Sequence, residues 1–388
     1  MMAKKVRRNN GSWQRFVPTV LYLLGYGFLG FWIAFKGILS FEPGGFFFGY
    51  LIVIYACLYL GSLINTVIHE AGHLVFGLAT GYKFGSFRVL SFTWAKIDGR
   101  LRFRRYSLAG TAGQCLMDPP DLVDGKIPVM LYNLGGPIMS LIGGVVFLLL
   151  HIIAGRGVFS MFLLVTGVLG IMFALTNGLP LRLGMVNNDG YNALKMAGDP
   201  LAIRIFWAEL KTSTVLLQGG RMRDIPAEWL QVPDDADLTN SRIVTAKVQE
   251  CNRLIDCGLY EEADESMRCL LENPEAALID LYRYLLTGER LYIELTGQNR
   301  PEIVNKWYDK KFRRFAASMS KYISVIRMEY AYALLAEWDE AKAEKILARF
   351  EKAAARYPYK GDVESERAMI ERARLCHEAR RENSGVAQ

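Results

Sequence analysis

Four long uncharged stretches occupy the first half of the chain. They cover residues 16–35, 43–68, 127–155 and 157–181, and the third contains one histidine, His151. Each is long enough for a helix to cross the hydrocarbon core of a bilayer, which takes about 20 residues. A buried core helix of a soluble protein could explain one such stretch, but not four. The pattern therefore predicts an all-α polytopic membrane bundle with about four transmembrane helices.

The polar and apolar positions alternate between the second and third stretches. The segment "SFRVLSFTWAKIDGRLRFRRYSL" contains Asp98-Gly99, a strong signal for a two-residue turn. We therefore predict an inserted β-hairpin at about 85–107, with Leu90, Phe92 and Trp94 on one face of its first strand. Two interpretations stay open. The hairpin is an amphipathic element at the bilayer surface, or an edge that adds an extended substrate as a further strand, and the two are compatible.

The pattern changes to charged amphipathic helix from about residue 196. Gly258, Gly297 and Ala336 are spaced 39 residues apart, each at a predicted turn between two helices. This resembles tetratricopeptide-type hairpins, although their usual period is about 34 residues. The sequence thus predicts a C-terminal α-helical hairpin-repeat (tetratricopeptide-like) domain that offers a surface to a protein partner. A helical bundle that packs only on itself is the alternative.

These patterns predict three regions. Residues 1–45 form an N-terminal segment and an extra transmembrane anchor, residues 46–195 form a membrane core with the hairpin, and residues 196–388 form a helical domain. Basic residues predict the orientation, because they favour the cytosolic side of a membrane. Residues 1–15 carry five basic residues and no acidic one, and eight more follow the second stretch. Both termini and the helical domain should be cytosolic, in a multi-pass protein of the cell membrane.

The net charge of +7 follows from this topology. No stripe of lysine and arginine with interleaved aromatic residues is present, so nucleic acid is not an expected partner. The six cysteines include no Cys-x-x-Cys pair, and four of them lie in the predicted cytosolic domain. Thiols stay reduced in that compartment, so structural disulfides are not expected.

The segment "HEAGH" at residues 69–73 is the main candidate for chemistry. Residues four apart lie on one face of a helix, so His69 and His73 can reach one metal ion. Glu70 lies about 100° round the helix from His69, close enough to activate water without binding the metal. Ionisable groups at membrane depth are costly and mark function. The alternative is a chance occurrence of the motif near a helix end.

Two other uncharged stretches contain polar groups at the same predicted depth. The third begins with "YNLGGP", which places Asn133 beside two glycines and a proline. The fourth ends with Asn177 and Pro180, and Asn188-Asp189-Gly190 follows. Glycines in the third stretch would let helices approach closely, and we interpret Gly143 and Gly144 as packing positions.

These three ordered motifs resemble the site-2 protease family of intramembrane zinc metalloproteases over roughly residues 46–195. The resemblance rests on "HEAGH" within one span, "NLGGP" opening the next, and Asn-x-x-Pro followed by Asp-Gly after the last. It implies an endopeptidase with a Zn²⁺ cofactor that cleaves membrane-spanning or membrane-associated peptide segments in regulated intramembrane proteolysis. Asp189 lies twelve residues after Asn177, a longer spacing than the family commonly has. The first span and the helical tail lie outside the resemblance.

Catalytic zinc takes three protein ligands, and the motif supplies two. His151 lies at the far end of the third stretch, and His377 near the end of the tail. We therefore expect Asp189 to be the third ligand, with Cys115 as the alternative. Glu70 is the expected general base, and Asn133 and Asn177 are candidates to bind the substrate backbone or the developing oxyanion.

Two other function classes were weighed. A catalytically inactive membrane scaffold would use its helical tail to recruit a partner and would have incomplete zinc ligation. A zinc or solute transporter would need polar groups at several depths of its spans, and these are missing. The expected partners of the protease are a transmembrane protein or peptide substrate, the lipid bilayer and a protein bound to the helical domain.

Overall fold

The computed structural model describes residue 30 and residues 47–105, 112–180, 182–183, 186–196, 198–233 and 235–383. The chain divides into two compact units. The first comprises Met1–Trp94 and Ser107–Ile203, and the second comprises Ala95–Tyr106 and Arg204–Gln388. Apart from Gly30, the predicted anchor at 16–35 lies outside the described residues.

Three helices of the first unit are long and apolar enough to cross a membrane. They are α1 (Phe47–Ala79), α2 (Val129–Ala154) and α3 (Val158–Gly178). They confirm the second, third and fourth predicted spans, and α1 continues past Ile68 to include the whole of "HEAGH". Many of their large apolar side chains are exposed, such as Ile52 and Ile153, as contact with lipid requires. The predicted total of four spans stays a prediction.

Glycines set the distances between these helices. A Cβ at Gly144 would lie 2.8 Å from the backbone N of Ile171 and 2.9 Å from Gly167 O, so α2 and α3 touch along their backbones. A Cβ at Gly72 would overlap the carbonyl of Gly135, so the backbones of α1 and α2 also touch. Small residues at helix interfaces are the usual basis of close packing in membranes. The packing role predicted for Gly144 is thereby confirmed.

A four-stranded sheet follows α1. Its strands are β1 (Lys83–Val89), β2 (Phe92–Ile97), β3 (Arg100–Arg105) and β4 (Gly113–Asp118), in the spatial order β3-β2-β1-β4. The predicted hairpin is β2–β3, and φ angles of 52° at Asp98 and 73° at Gly99 suit a type I′ turn. Leu90 lies outside the strand, with a φ of 54° in the turn before β2. The prediction did not include β1 and β4.

Short elements connect the third span to the second unit. Strands β5 (Arg182–Leu183) and β6 (Val186–Asn187) pair antiparallel and lead into α4 (Asp189–Met196). This small hairpin takes up the extra residues between Asn177 and Asp189. The first unit continues to Ile203, beyond the predicted boundary at 195.

The second unit is helical apart from the hairpin tip. Its first helix, α5 (Pro200–Leu217), begins in the last residues of the first unit. The others are α6 (Ala227–Leu230), α7 (Ser241–Asp256), α8 (Tyr260–Glu272), α9 (Asp280–Thr296), α10 (Pro301–Trp307), α11 (Lys310–Ser318), α12 (Ile323–Leu335), α13 (Glu340–Ala354) and α14 (Lys360–Asn383), with a 3₁₀ turn at Met222–Asp224. Gly258 lies in the turn between α7 and α8, and Gly297 and Ala336 cap the ends of α9 and α12. All three therefore lie at helix–helix turns, while the tetratricopeptide-like repeat stays a prediction.

Residues between helices of the second unit hold the turn of the β2–β3 hairpin and its second strand. The side-chain amide of Gln218 donates to Lys96 O at 2.7 Å, and its oxygen accepts the Asp98 N–H at 3.1 Å. Arg104 donates to the carbonyl of Pro358 at 2.8 Å. The hairpin was predicted as part of the membrane core, but the structure groups Ala95–Tyr106 with the helical unit.

Candidate metal centre and its surroundings

Two histidines of α1 and the first residue of α4 bring three possible metal ligands together. Nε2 of His69 lies 3.1 Å from Oδ2 of Asp189, and Nε2 of His73 lies 3.5 Å from the same oxygen. The two Nε2 atoms are 3.3 Å apart. Both histidines are buried, at 7% and 8% exposure. In the described part of the chain this is the one group of three histidine, cysteine, aspartate or glutamate residues whose donor atoms lie within 4.8 Å of one another.

The three distances fit a zinc ion. Zinc bonds of roughly 2.0–2.1 Å at tetrahedral angles place neighbouring donor atoms about 3.3 Å apart, and the observed distances lie on both sides of this value. Two imidazoles and one carboxylate also form an accepted catalytic zinc set, which leaves a fourth position for water or substrate. The residues present therefore fit the ion that the family resemblance implies.

Residues of α2 orient both imidazoles. Nδ1 of His73 lies 2.9 Å from the carbonyl of Tyr132. Because a carbonyl only accepts, Nδ1 carries the proton and the lone pair of Nε2 is directed to the metal position. Nδ1 of His69 lies 3.1 Å from Oγ of Ser140. Sequence reasoning missed both partners. Tyr132 directly precedes Asn133 of "NLGGP", but it acts through its backbone, which leaves no side-chain signal.

Gly136, the second glycine of "NLGGP", leaves the space for the metal. A Cβ at this position would lie 2.5 Å from Nε2 of His73 and 2.8 Å from Nε2 of His69. These two atoms are the proposed ligand atoms, so a methyl group would compete with the ion for its place. The glycine therefore serves the site as well as helix packing.

Asn188 fixes Asp189 against the end of α3, a role that sequence reasoning did not assign. Its amide nitrogen donates to the carbonyls of Thr176 and Leu179, both at 2.6 Å. Its oxygen accepts the N–H of Tyr191 at 2.9 Å, which caps α4. Gly190 lies in α4, where a Cβ would overlap the carbonyl of Gly178.

The pKa of Asp189 reflects its partners. Burial would raise the pKa of this carboxyl, but the two neighbouring imidazoles, those of His69 and His73, outweigh burial and lower the pKa to about 2. The carboxylate is therefore ionised at physiological pH, as a metal ligand must be.

Strand β4 lies directly on Glu70. A Cβ at Gly113 would lie 2.5 Å from Oε1 of Glu70, and the backbone N–H of Cys115 donates to the Glu70 carboxylate. Gly113 is itself held by Arg88 of β1, which is buried and donates to Gly113 O at 3.3 Å and to Leu90 O at 2.8 Å. The sheet therefore determines where the carboxylate of Glu70 can lie.

Cys115 is a poor candidate for a zinc ligand in this arrangement. It is buried, and burial together with the nearby charge of Glu70 raises the pKa of its thiol. Metal binding requires the thiolate, which this environment disfavours. His151 pairs instead with Ser160, at 2.8 Å to Oγ, and the His377 ring packs on that of Trp338 with 4.9 Å between centroids.

Asn133 and Asn177 each donate to a carbonyl of their own helix. Asn133 donates to Val129 O at 2.7 Å and Asn177 to Phe173 O at 3.0 Å. Each amide has a second hydrogen and an oxygen in addition, so these bonds leave capacity to bind a substrate. Their roles in binding substrate or oxyanion stay predictions.

The model of the peptidase M50B-like family matches residues 47–187. This segment is similar to that family. The match confirms the resemblance to the site-2 protease family, and with the three apolar helices it indicates a membrane protein of metallopeptidase type. No curated protein and no solved structure matches the chain. The M50B-like segment includes His69, Glu70 and His73 but ends before Asp189, so the third ligand is supported by its distances alone.

Proposed function

We propose that the chain is a zinc-dependent intramembrane endopeptidase that cleaves membrane-spanning or membrane-associated peptide segments near the cytosolic face. One observation carries the proposal. His69, His73 and Asp189 present their donor atoms at zinc-binding distances, and Glu70 lies beside the two histidines in the same M50B-like helix. An inactive scaffold would have no need to keep all four groups together.

Each residue has a defined task in this proposal. His69, His73 and Asp189 would hold a zinc ion, which would supply Lewis acidity to make water nucleophilic and to polarise the scissile carbonyl. Glu70 removes a proton from the attacking water and passes it to the leaving amine. The N–H of Cys115 orients the Glu70 carboxylate, and Gly113 offers no side chain to block it.

The outer edge of β4 is the proposed place for the substrate. β4 is an edge strand of the sheet, and its first residue, Gly113, lies against the carboxylate of Glu70. A peptide in a transmembrane helix has its amides hydrogen-bonded and must unwind before attack. Pairing with β4 would hold it extended beside Glu70. Asn133 and Asn177 are proposed to bind its backbone or the developing oxyanion.

The test compares cells that produce the native protein with cells that produce Glu70→Gln. Membrane peptides that are substrates should accumulate uncleaved with Glu70→Gln and not with Glu371→Gln, which changes an exposed glutamate of α14. The inactive scaffold, our second candidate, predicts instead that cells with the native protein, with Glu70→Gln and with Glu371→Gln contain the same membrane peptides. Such a result would refute the protease.

A further inference from the structure

Helix α11 of the second unit carries four cationic side chains within nine residues. Lys310, Lys311, Arg313 and Arg314 are all exposed. At about 100° per residue they occupy an arc of roughly 160° on one side of the helix. Phe312 is buried on the opposite side. The helix therefore presents a continuous basic surface formed by these four cations, the α11 face.

No carboxylate pairs with the α11 face among the described residues. Its four side chains form no ion pair there, whereas Arg290 and Arg300 of neighbouring elements each pair with an acid. Residues 303–322 contain six basic residues and one acidic one, Asp309. The carboxylate of Asp309 accepts the N–H of Phe312 at 2.7 Å and so caps the helix. The positive charge of the face is thus left for solvent or a partner.

The four cations lie at positions that are unfavourable for the helix itself. Lys310 and Lys311 are its first two residues, where the positive end of the helix dipole repels cations. Lys310 also lies three residues before Arg313 and four before Arg314, spacings at which like charges repel. Residues that break local rules without a gain inside the fold are expected at functional positions. The α11 face therefore calls for an anionic partner.

Two features favour a bilayer surface over a protein as this partner. No exposed side chain of α11 is large and apolar, whereas protein interfaces usually depend on aromatic or apolar anchors. A layer of anionic headgroups attracts exposed lysine and arginine without such an anchor. In addition, three helices of the first unit are long and apolar enough to cross a bilayer, which keeps headgroups within reach of the chain.

We propose that the α11 face binds the anionic headgroups of a bilayer and attaches the second unit to the membrane surface. Phe312 belongs to the core of the helical unit, so no large apolar side chain of α11 is available to enter the hydrocarbon. The attachment is therefore electrostatic, and salt weakens it.

The first experiment follows backbone hydrogen exchange of the full-length protein in lipid nanodiscs. One set of discs contains phosphatidylcholine alone, and the other contains about 30% phosphatidylserine, which makes the surface anionic. Amides of α11 should exchange at least about threefold more slowly in the anionic discs, because bound headgroups oppose opening of the helix. The difference should vanish in about 0.5 M NaCl, where the Debye length is only ~4 Å.

Two outcomes of this experiment would overturn the proposal. The first is equal exchange of α11 in the two sets of discs. The second concerns polyglutamate, which is added to the neutral discs as a substitute for an acidic protein segment. If polyglutamate slows exchange in α11 and phosphatidylserine does not, the α11 face binds such a segment and the lipid assignment is wrong.

Matched variants assign the effect to the α11 face. The first variant replaces its cations by glutamine, which keeps a high helix propensity: Lys310→Gln, Lys311→Gln, Arg313→Gln and Arg314→Gln. Its α11 should exchange equally in both sets of discs. The control removes four other exposed positive charges of the second unit and should keep the native difference: Lys345→Gln, Lys352→Gln, Arg356→Gln and Lys360→Gln. A difference that survives in the first variant, or is lost in the control, would refute the assignment.

The melting temperature separates binding from folding. The first variant should melt at the native temperature or above it, because the change removes repulsion among the cations and between them and the helix dipole. A lower melting temperature would show that the four cations stabilise the fold, and the reason for an external partner would be gone.

Discussion

Gly113 lies against the carboxylate of Glu70, so close that a Cβ at residue 113 would be 2.5 Å from Oε1. The first residue of β4 therefore has to be a glycine if Glu70 is to keep its position beside the two histidines. The catalytic geometry thus depends on the sheet as well as on the zinc-binding helix, although the two elements are separated by more than thirty residues of chain.

Gly113→Ala should impair cleavage without removing the metal. The added methyl group displaces the Glu70 side chain, while His69, His73 and Asp189 lie elsewhere and keep their geometry. We expect at least about tenfold slower cleavage of a membrane peptide, since misplacement by a fraction of an ångström to one ångström is costly in catalysis. Zinc content is measured in the same preparation. Gly198→Ala, where a Cβ meets open space, is the control. Native activity of Gly113→Ala would show that β4 does not constrain Glu70.

Gly136→Ala should instead remove the metal. Its methyl group would lie within 2.8 Å of Nε2 of both histidines, where the ion has to bind. Metal content by mass spectrometry should fall to a small fraction of the native value, and cleavage should fall with it. Gly143→Ala lies on the same helix but meets only the flexible side chain of Ile68, at 3.3 Å, and should keep its zinc. Equal zinc in the two variants would place the metal elsewhere.

Asp189→Ala tests the third ligand. The variant should have reduced zinc occupancy and no measurable cleavage, because two histidines alone leave the ion incompletely held. Asn187→Ala and Asp199→Ala change polar residues close by in the sequence, and they should reduce zinc content and cleavage much less. The zinc content and cleavage rate of Asn188→Ala should fall between these extremes, since the change removes the cap of α4 and two hydrogen bonds to the end of α3. A full zinc content in purified Asp189→Ala would rule the assignment out and return attention to Cys115.

Local patterns made part of this site predictable from the sequence. The spacing of His69 and His73 predicts a shared metal ion because both residues lie in one helix. The turn at Asp98-Gly99 is predictable because it depends on two adjacent residues. The contacts of Gly113 with Glu70 and of Gly136 with the histidines join distant parts of the chain, so no local pattern reports them. The same holds for the buried Arg327, whose carboxylate partners come from helices α9 and α14.

Gln218→Ala should loosen the hairpin tip. The side chain of Gln218 makes two hydrogen bonds to the turn, and each is worth about 0.5–1.5 kcal/mol. Hydrogen exchange of the Asp98 amide should therefore become about tenfold faster, while exchange within α1 stays unchanged. Gln298→Ala changes an exposed glutamine in another turn of the helical unit and is the control. If exchange at Asp98 is the same in both variants, the bonds to Gln218 do not hold the tip.

The central claim is most directly tested by purified native protein and Glu70→Gln, reconstituted in liposomes with a transmembrane substrate peptide found in the cell experiment. The glutamine preserves the shape of Glu70 and removes the base, so zinc content should stay at the native level. The rate of cleavage should fall by about 10²–10⁴, the usual contribution of a general base. Cleavage by Glu70→Gln within about tenfold of the native rate, with zinc retained, would contradict a catalytic role for Glu70.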